Sequence, residues 1–272
     1  DARTPTSLRG REGWWPGLQK GLLGSFSAVL AVDQTAARAL RRAGAPTQIV
    51  QVTGRMEYPS AVLPCAEAER AALASLLHTR PVWFAAGLPE GEERAVISAH
   101  RSAMKLAHRL LLILSPQDPA RIPALAEQME QTEGWTIACR NREEDPEADV
   151  QVFITDPGVE FGLWYRLAPI TYIGGGLTDM GISRDPMEAA ALGSAIIHGP
   201  RGGQFGAALG RLAAASATSL VADERDLAAS LGELLSPDRV ARLAQLAWAV
   251  ESDGAEATDK TVATLCKLLG ER

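Results

Sequence analysis

Between Pro81 and Pro200 short, continuously apolar runs alternate with amphipathic, helix-like stretches. "VWFAAG", "RLLLILSP", "WTIACR", "VQVFITD", "PITYIGG" and "SAIIHGP" have strand character, while "EGEERAVISAHRSAMKLA", "DPARIPALAEQMEQT", "VEFGLWYRLA" and "DPMEAAALG" have helix character. A strand that is apolar on both sides needs cover on both faces, and a helix between successive strands makes them parallel. The pattern therefore predicts an α/β fold: a Rossmann-like parallel sheet with helices on both faces. Beyond Pro200 the sequence suggests helices to the end. Ligands of such sheets bind outside the carboxyl ends of the strands. The loops to examine are thus 87–92, 115–118, 155–160, 174–184 and 199–204, with the 155–160 loop expected beside the 174–184 loop on one edge.

Upstream, "PGLQKGLLGSF" and "QTAARALRRAGA" suggest helices, the latter stopped by Gly44, and "SAVLAVD" and "QIVQVTG" suggest strands. "RMEYPSAVLP", with two prolines and no period, suggests a linker. The expected division is therefore 1–58, the end of a second α/β domain with its linker, and 59–272, the main Rossmann-like domain.

Composition narrows the function. A hydrophobic share of 46% and a charged share of 22% exclude wholesale disorder. A net charge of −6 argues against non-specific nucleic-acid binding. Arg3, Arg9, Arg11 and Lys20 nevertheless crowd the start beside Trp14 and Trp15. Such a segment suits either an anionic membrane face or a solvated end. Cys65, Cys139 and Cys266 form neither a metal spacing nor a disulfide framework, and the four histidines are scattered, so no metal and a reducing compartment are expected. No run is long enough to span a bilayer and none resembles a signal peptide. A start at Asp1 rather than Met suggests a piece of something longer.

Gly174, Gly175 and Gly176 follow a strand, where glycines let the backbone approach closely and expose N–H groups to a phosphate; a plain tight turn is the alternative. Asp185 and Pro186 mark a helix start, and Glu188 stands where it could close a capping box or accept from a ribose diol. Thr155-Asp156-Pro157 opens another helix with Glu160 in its first turn, and Ser115-Pro116-Gln117-Asp118 suggests a third cap. Glu90, Glu92 and Glu93 suggest a solvated helix start, and His198 a structural residue at a strand end.

Taken in order, "VTGRMEY", "RPVWFAAGLPEGEERAVISAHR", "RLLLILSPQDPAR", "ITDPGVEFGLWYRLAPITYIGGGL" and "DPMEAAALGSAIIHGP" resemble the 3-deoxy-D-manno-octulosonic acid (Kdo) transferases. "DARTPTSLRG" resembles a segment late in the N-terminal domain of these GT-B glycosyltransferases. The resemblance covers nearly the whole chain. It implies transfer of Kdo from CMP-Kdo to a lipid A precursor in lipopolysaccharide biosynthesis, at the cytoplasmic face of the inner membrane, with no metal and a catalytic base outside this chain. It implies that Glu188 holds the ribose. Around the CMP it would place Gly174, Gly175 and Gly176, the helix start at Ser183, Arg184 and Asp185, the loop residues Asp156, Gly158 and Glu160, and Pro116 with Gln117. The chain departs from the family at Gly87-Leu88-Pro89 (Ser-Thr-His), Gln117-Asp118 (Arg-His), Gly176 (Ser), Arg184-Asp185 (His-Asn), and Arg201 and Gln204 (His and Asn). Arg184 or Arg201 could restore the lost positive charge. Two other readings remain open: a relative that keeps the fold but serves as a nucleotide-binding or interaction module, and a GT-B enzyme using a UDP sugar. The sequence sets neither the acceptor nor the oligomeric state.

Overall fold

The computed structural model describes residue 2 and residues 18–55, 63–178 and 180–270. The basic start (Arg3, Arg9, Arg11, Trp14, Trp15) and the 56–62 part of the linker lie outside the described residues. The chain forms two compact units, residues 1–59 with 251–272, and residues 60–250.

In the first unit α1 (Leu18–Gly24) precedes β1 (Val29–Ala31), α2 (Gln34–Arg42) and β2 (Val50–Val52). The strands pair in parallel, with Val29 opposite Val50. Asp33 starts α2 by accepting from the Ala36 N–H at 2.6 Å, and Ala37, Leu40, Val29, Ala31 and Val50 form a small core. These are the elements expected from the sequence.

The second unit contains α3 (Glu67–Leu77), β3 (Val82–Leu88), α4 (Glu90–Met104), β4 (Leu111–Pro116), α5 (Ile122–Glu133), β5 (Ile137–Cys139), β6 (Val152–Ile154), α6 (Phe161–Leu167), β7 (Ile170–Ile173), α7 (Pro186–Ala191), β8 (Ala195–His198), α8 (Gly206–Ala214), β9 (Thr218–Leu220) and α9 (Glu224–Leu234). A long helix, α10 (Pro237–Gly270), follows. The sheet has seven parallel strands in the order β5-β6-β4-β3-β7-β8-β9. Strand β3 shows why both faces need cover, because its residues alternate between two cores. Phe84 and Ala86 join Leu73, Phe161, Trp164, Met187 and Leu212 on one face. Trp83 and Ala85 join Val96, Leu125, Leu227 and Leu231 on the other. Each large side chain buried this way contributes about 1.5–3 kcal/mol of transfer free energy.

Two expectations fail. The stretch after Pro200 is not wholly helical, because β9 extends the sheet at its edge, pairing Thr218 with Ile196. The loops after β6 and β7 are not neighbours either. Strands β4 and β3 stand between, because the chain builds outward from β3 through β4 to β5 and β6 before crossing back to β7. That return makes the β3/β7 boundary the point where strand order reverses, the place where open α/β sheets bind their ligands. Among the described residues no helix is long and apolar enough to cross a membrane.

The core also holds a histidine. His100 is fully buried; its Nδ1 accepts from the Trp83 indole N–H at 3.1 Å, and Trp135 meets the ring edge-on. Burial pushes its pKa down to about 3. Between pH 6.5 and that value the unfolded chain binds a proton that the folded chain refuses, so stability falls as pH drops below 6.5. Denaturant unfolding at pH 7.5 and 5 is expected to show a loss of about 2 kcal/mol from this residue alone. The loss should disappear in His100→Gln, which keeps an acceptor but cannot titrate. An equal pH loss in both proteins would remove His100 as its source.

Candidate functional site

Three loops converge where the strand order reverses: 87–89 after β3, 174–178 after β7 and 199–203 after β8. They pack backbone against backbone. A Cβ on Gly176 would stand 2.7 Å from the Gly199 nitrogen, and one on Gly175, whose φ is +99°, would stand 2.2 Å from the Gly181 carbonyl oxygen. The Ser183 hydroxyl donates to the Gly87 carbonyl at 2.9 Å and also lies 3.4 Å from that of Gly174, tying the approach to α7 onto β3 and β7. Arg201 joins the assembly through its Nη1, which donates to the Leu177 carbonyl at 2.8 Å. The glycine triplet is thus required by close packing of neighbouring loops.

The loop still holds an anion, and the anion belongs to the protein. Glu92, in the first turn of α4, is only 1% exposed. Its Oε1 accepts from the N–H groups of Leu177 (2.7 Å) and Thr178 (2.9 Å). Its Oε2 accepts from the Gly175 N–H (2.8 Å) and the Tyr172 hydroxyl (2.7 Å). Burial, and then the adjacent carboxylate, hold the Tyr172 phenol well above the ordinary range, so it remains a donor. The expectation of a solvated start holds for Glu90, which is exposed, and is corrected for Glu92 and Glu93. Glu92 turns inward because four donors await it, and Glu93 is buried because Arg121 reaches it at 2.7 Å. A phosphate could take the Gly175, Leu177 and Thr178 amides only by expelling that carboxylate.

Asp185 caps α7 by accepting from the Met187 N–H at 2.9 Å. The Glu188 carboxylate is taken by Arg184, whose Nε and Nη2 both donate to Oε2, at 3.1 and 2.6 Å. The guanidinium lies over the Phe161 ring, 4.1 Å from its centroid. Beside them lies the buried Tyr165 hydroxyl, close enough to feel both charges. Burial raises the Glu188 pKa, with Arg184 opposing the rise, while burial and the Glu188 charge push the Tyr165 phenol up. Phe161 and Tyr165 escaped sequence reasoning because their relation to Arg184 is made by the packing of α6 against α7.

The other candidates lie elsewhere or have local partners. Glu160 is not in the first turn of α6 but precedes it, in a left-handed conformation with φ 56°. Its carboxylate bonds Arg140, which also pairs with Glu69 of α3. Asp156 offers its carbonyl to the Ser115 hydroxyl at 3.5 Å, and Gly158 turns the chain at φ 83°. Pro116 is buried at the end of β4, and Gln117 donates its N–H to the Leu88 carbonyl at 2.9 Å. Asp118 caps a 3-10 turn by accepting from the Ala120 N–H, as expected. His198, expected to be structural, is buried between the Gly199 carbonyl and the Thr218 hydroxyl. Burial lowers its pKa. Two shallow hollows of about 280 and 600 Å³ are lined by residues of β9, α4, α9 and α10, and none of the candidates above lines them. Among the described residues no three His, Cys, Asp or Glu side chains gather as a metal site.

No family model matches the chain. Over 175 residues, 64% of its length, it is 27% identical to the 3-deoxy-D-manno-octulosonic acid transferase of Haemophilus influenzae, covering 40% of that protein. Over 192 residues, 68% of its length, it is 26% identical to a probable mitochondrial 3-deoxy-D-manno-octulosonic acid transferase of Arabidopsis thaliana, covering 42% of it. The chain thus spans about two fifths of the length of these curated relatives. Among solved structures it is similar to the C-terminal CMP-Kdo binding domain of WaaA from Acinetobacter baumannii. The TM-score is 0.61 and the identity 22%, over 68% of this chain and 98% of that domain. It is also similar to Anabaena HepE in complex with UDP-glucose, with a TM-score of 0.53 and 14% identity over 91% of this chain and 66% of that one. The resemblance to the Kdo transferases, mostly to their C-terminal domain, and the GT-B type of fold both stand.

Glu92→Ala should leave three amides and a phenol without their acceptor and lower stability by roughly 3 kcal/mol or more, measured by denaturant unfolding. Formate or acetate, entering the vacated space, is expected to recover part of the loss, whereas chloride at equal ionic strength is not. A variant as stable as the parent, or indifferent to formate, would refute this account of the glycine loop.

Proposed function

We propose that this chain is the donor-binding part of a GT-B glycosyltransferase that transfers Kdo from CMP-Kdo to a lipid A precursor, at the cytoplasmic face of the inner membrane. The expected division, 1–58 as the end of an acceptor domain with its linker and 59–272 as most of the nucleotide-sugar domain, is kept here except at the carboxyl end, because residues 251–272 gather with the first unit. The observation that carries the reading is Glu188. Its carboxylate is 17% exposed in the first turn of α7, beyond the reversal of strand order, in a segment whose sequence, "DPMEAAALGSAIIHGP", resembles the Kdo transferases. A carboxylate so placed can accept two hydrogen bonds from a ribose diol, a role that fits nucleotide recognition by open α/β sheets. The reaction would be an inverting displacement. An acceptor hydroxyl, deprotonated by a carboxylate outside this chain, attacks the anomeric carbon, and CMP leaves with its charge met by preorganised donors. The scheme requires no metal.

Two other readings have observations in their favour. Glu92 already occupies the loop amides and Arg184 the ribose acceptor, which suits a relative that keeps the fold as an interaction module. The likeness in fold to HepE with UDP-glucose suits a UDP-sugar enzyme. Calorimetric titration separates the three. CMP is expected to bind with a Kd below about 1 mM, more tightly than UDP, and Glu188→Ala is expected to abolish binding. Tighter UDP binding would move the assignment to UDP sugars, and no nucleotide binding at all would leave the interaction module.

A further inference from the structure

We propose that Arg184 is the group that meets the donor's phosphate, and that it does so by leaving Glu188. The Arg184–Glu188 pair is the resting state of the site, exchanged on binding for two contacts, guanidinium to phosphate and carboxylate to ribose hydroxyls. This rests on the donor-binding reading above and adds a specificity residue to it.

Four observations carry the exchange. First, three amides of the glycine loop are taken by the buried Glu92, so a phosphate needs another partner. Second, Arg184 is anchored where that partner is needed. Ser183 beside it is bonded to Gly87, and a Cβ on Gly87 would stand 3.3 Å from the Arg184 Cγ. The guanidinium itself rides on a long arm, 26% exposed, and can be reached from solvent. Third, the resting pair falls short of the best geometry. Both bonds fall on one oxygen, Oε2, whereas a guanidinium and an oxyanion group bind most strongly through two parallel bonds to two oxygens. A phosphate offers that arrangement. Fourth, Glu188 is not stranded when the arginine departs. A ribose diol supplies two O–H donors, and the buried Tyr165 hydroxyl, which lies within the electrostatic reach of both partners, can turn to Glu188 as a third. The Phe161 face under the guanidinium limits its swing and keeps it close to the site.

The ligand class follows. The site favours a vicinal diol joined to an anion, as in a nucleoside 5′-monophosphate, over either group alone. Cytidine and CMP are the probes, titrated calorimetrically into the parent chain, Arg184→Ala and Arg184→Lys, with thermal melting to confirm that each folds. The parent should bind CMP more tightly than cytidine. Arg184→Ala should lose about ten- to a hundredfold in CMP affinity, while cytidine affinity stays or rises because Glu188 is no longer masked. Arg184→Lys keeps the charge without the planar fork and should recover part of the CMP preference. Equal weakening of both ligands by Arg184→Ala, or no change in CMP binding, overturns the exchange and leaves donor binding intact. Failure of the parent to bind either ligand overturns both.

Discussion

Much of the carboxyl edge of the sheet is organised by one buried carboxylate. Glu92 gathers Gly175, Leu177, Thr178 and Tyr172, so it links the start of α4 to the end of β7 and to the loop beyond it. A carboxylate with so little exposure must be met by donors, since an unpaired buried charge costs several kcal/mol. Backbone amides turned inward by a glycine loop meet that need without side chains. The loop shape and the acid are thus two parts of one solution, and the loop does not need a ligand to hold its form.

That solution shapes the loops around it. With the glycine loop drawn toward α4, neighbouring loops come within backbone contact, as at Gly176 against Gly199. Ser183 then bridges the ends of β3 and β7, and the chain enters α7 at a set point with Asp185 as its cap. Glu188 and Arg184 therefore rest on a chain of positions that starts at Glu92. The usual inference from a glycine loop to a phosphate is misdirected here, because the positive end of the loop faces inward.

What could be read from the residues follows the range of the forces involved. The strands β3, β4, β7 and β8 were legible because each is predominantly apolar and buried along its whole length. The cap at Asp185 was legible because it is made two residues away. Strand β9 was not, since its Thr-Ser-Leu sequence is partly exposed at the sheet edge. Strand order was hidden because it depends on where the chain crosses back, which leaves no local pattern. Glu92 looked like one acid among three at a helix start, and its partners lie 80 to 86 residues further on. Glu160 had the look of a first-turn acid, yet Arg140 takes it, 20 residues back. In the site, the sequence pointed to Glu188 and Arg184, but the face of Phe161 and the hydroxyl of Tyr165 appear only once α6 packs beside α7.

The charges of the resting site are balanced, and this constrains how it can work. Arg184 and Glu188 neutralise each other in a half-buried setting, where either charge alone would be costly. A ligand that met only the arginine would strand the acid, and one that met only the acid would strand the arginine. A ligand carrying both a diol and an anion relieves both at once, so its two halves are coupled through the pair they separate. Each half bears the cost of breaking the pair when it binds alone, and the joined ligand bears it once. Selectivity for an intact nucleotide over its fragments would then arise from a salt bridge made entirely within the protein, one partner of which, Arg184, stands where this chain departs from the family it resembles.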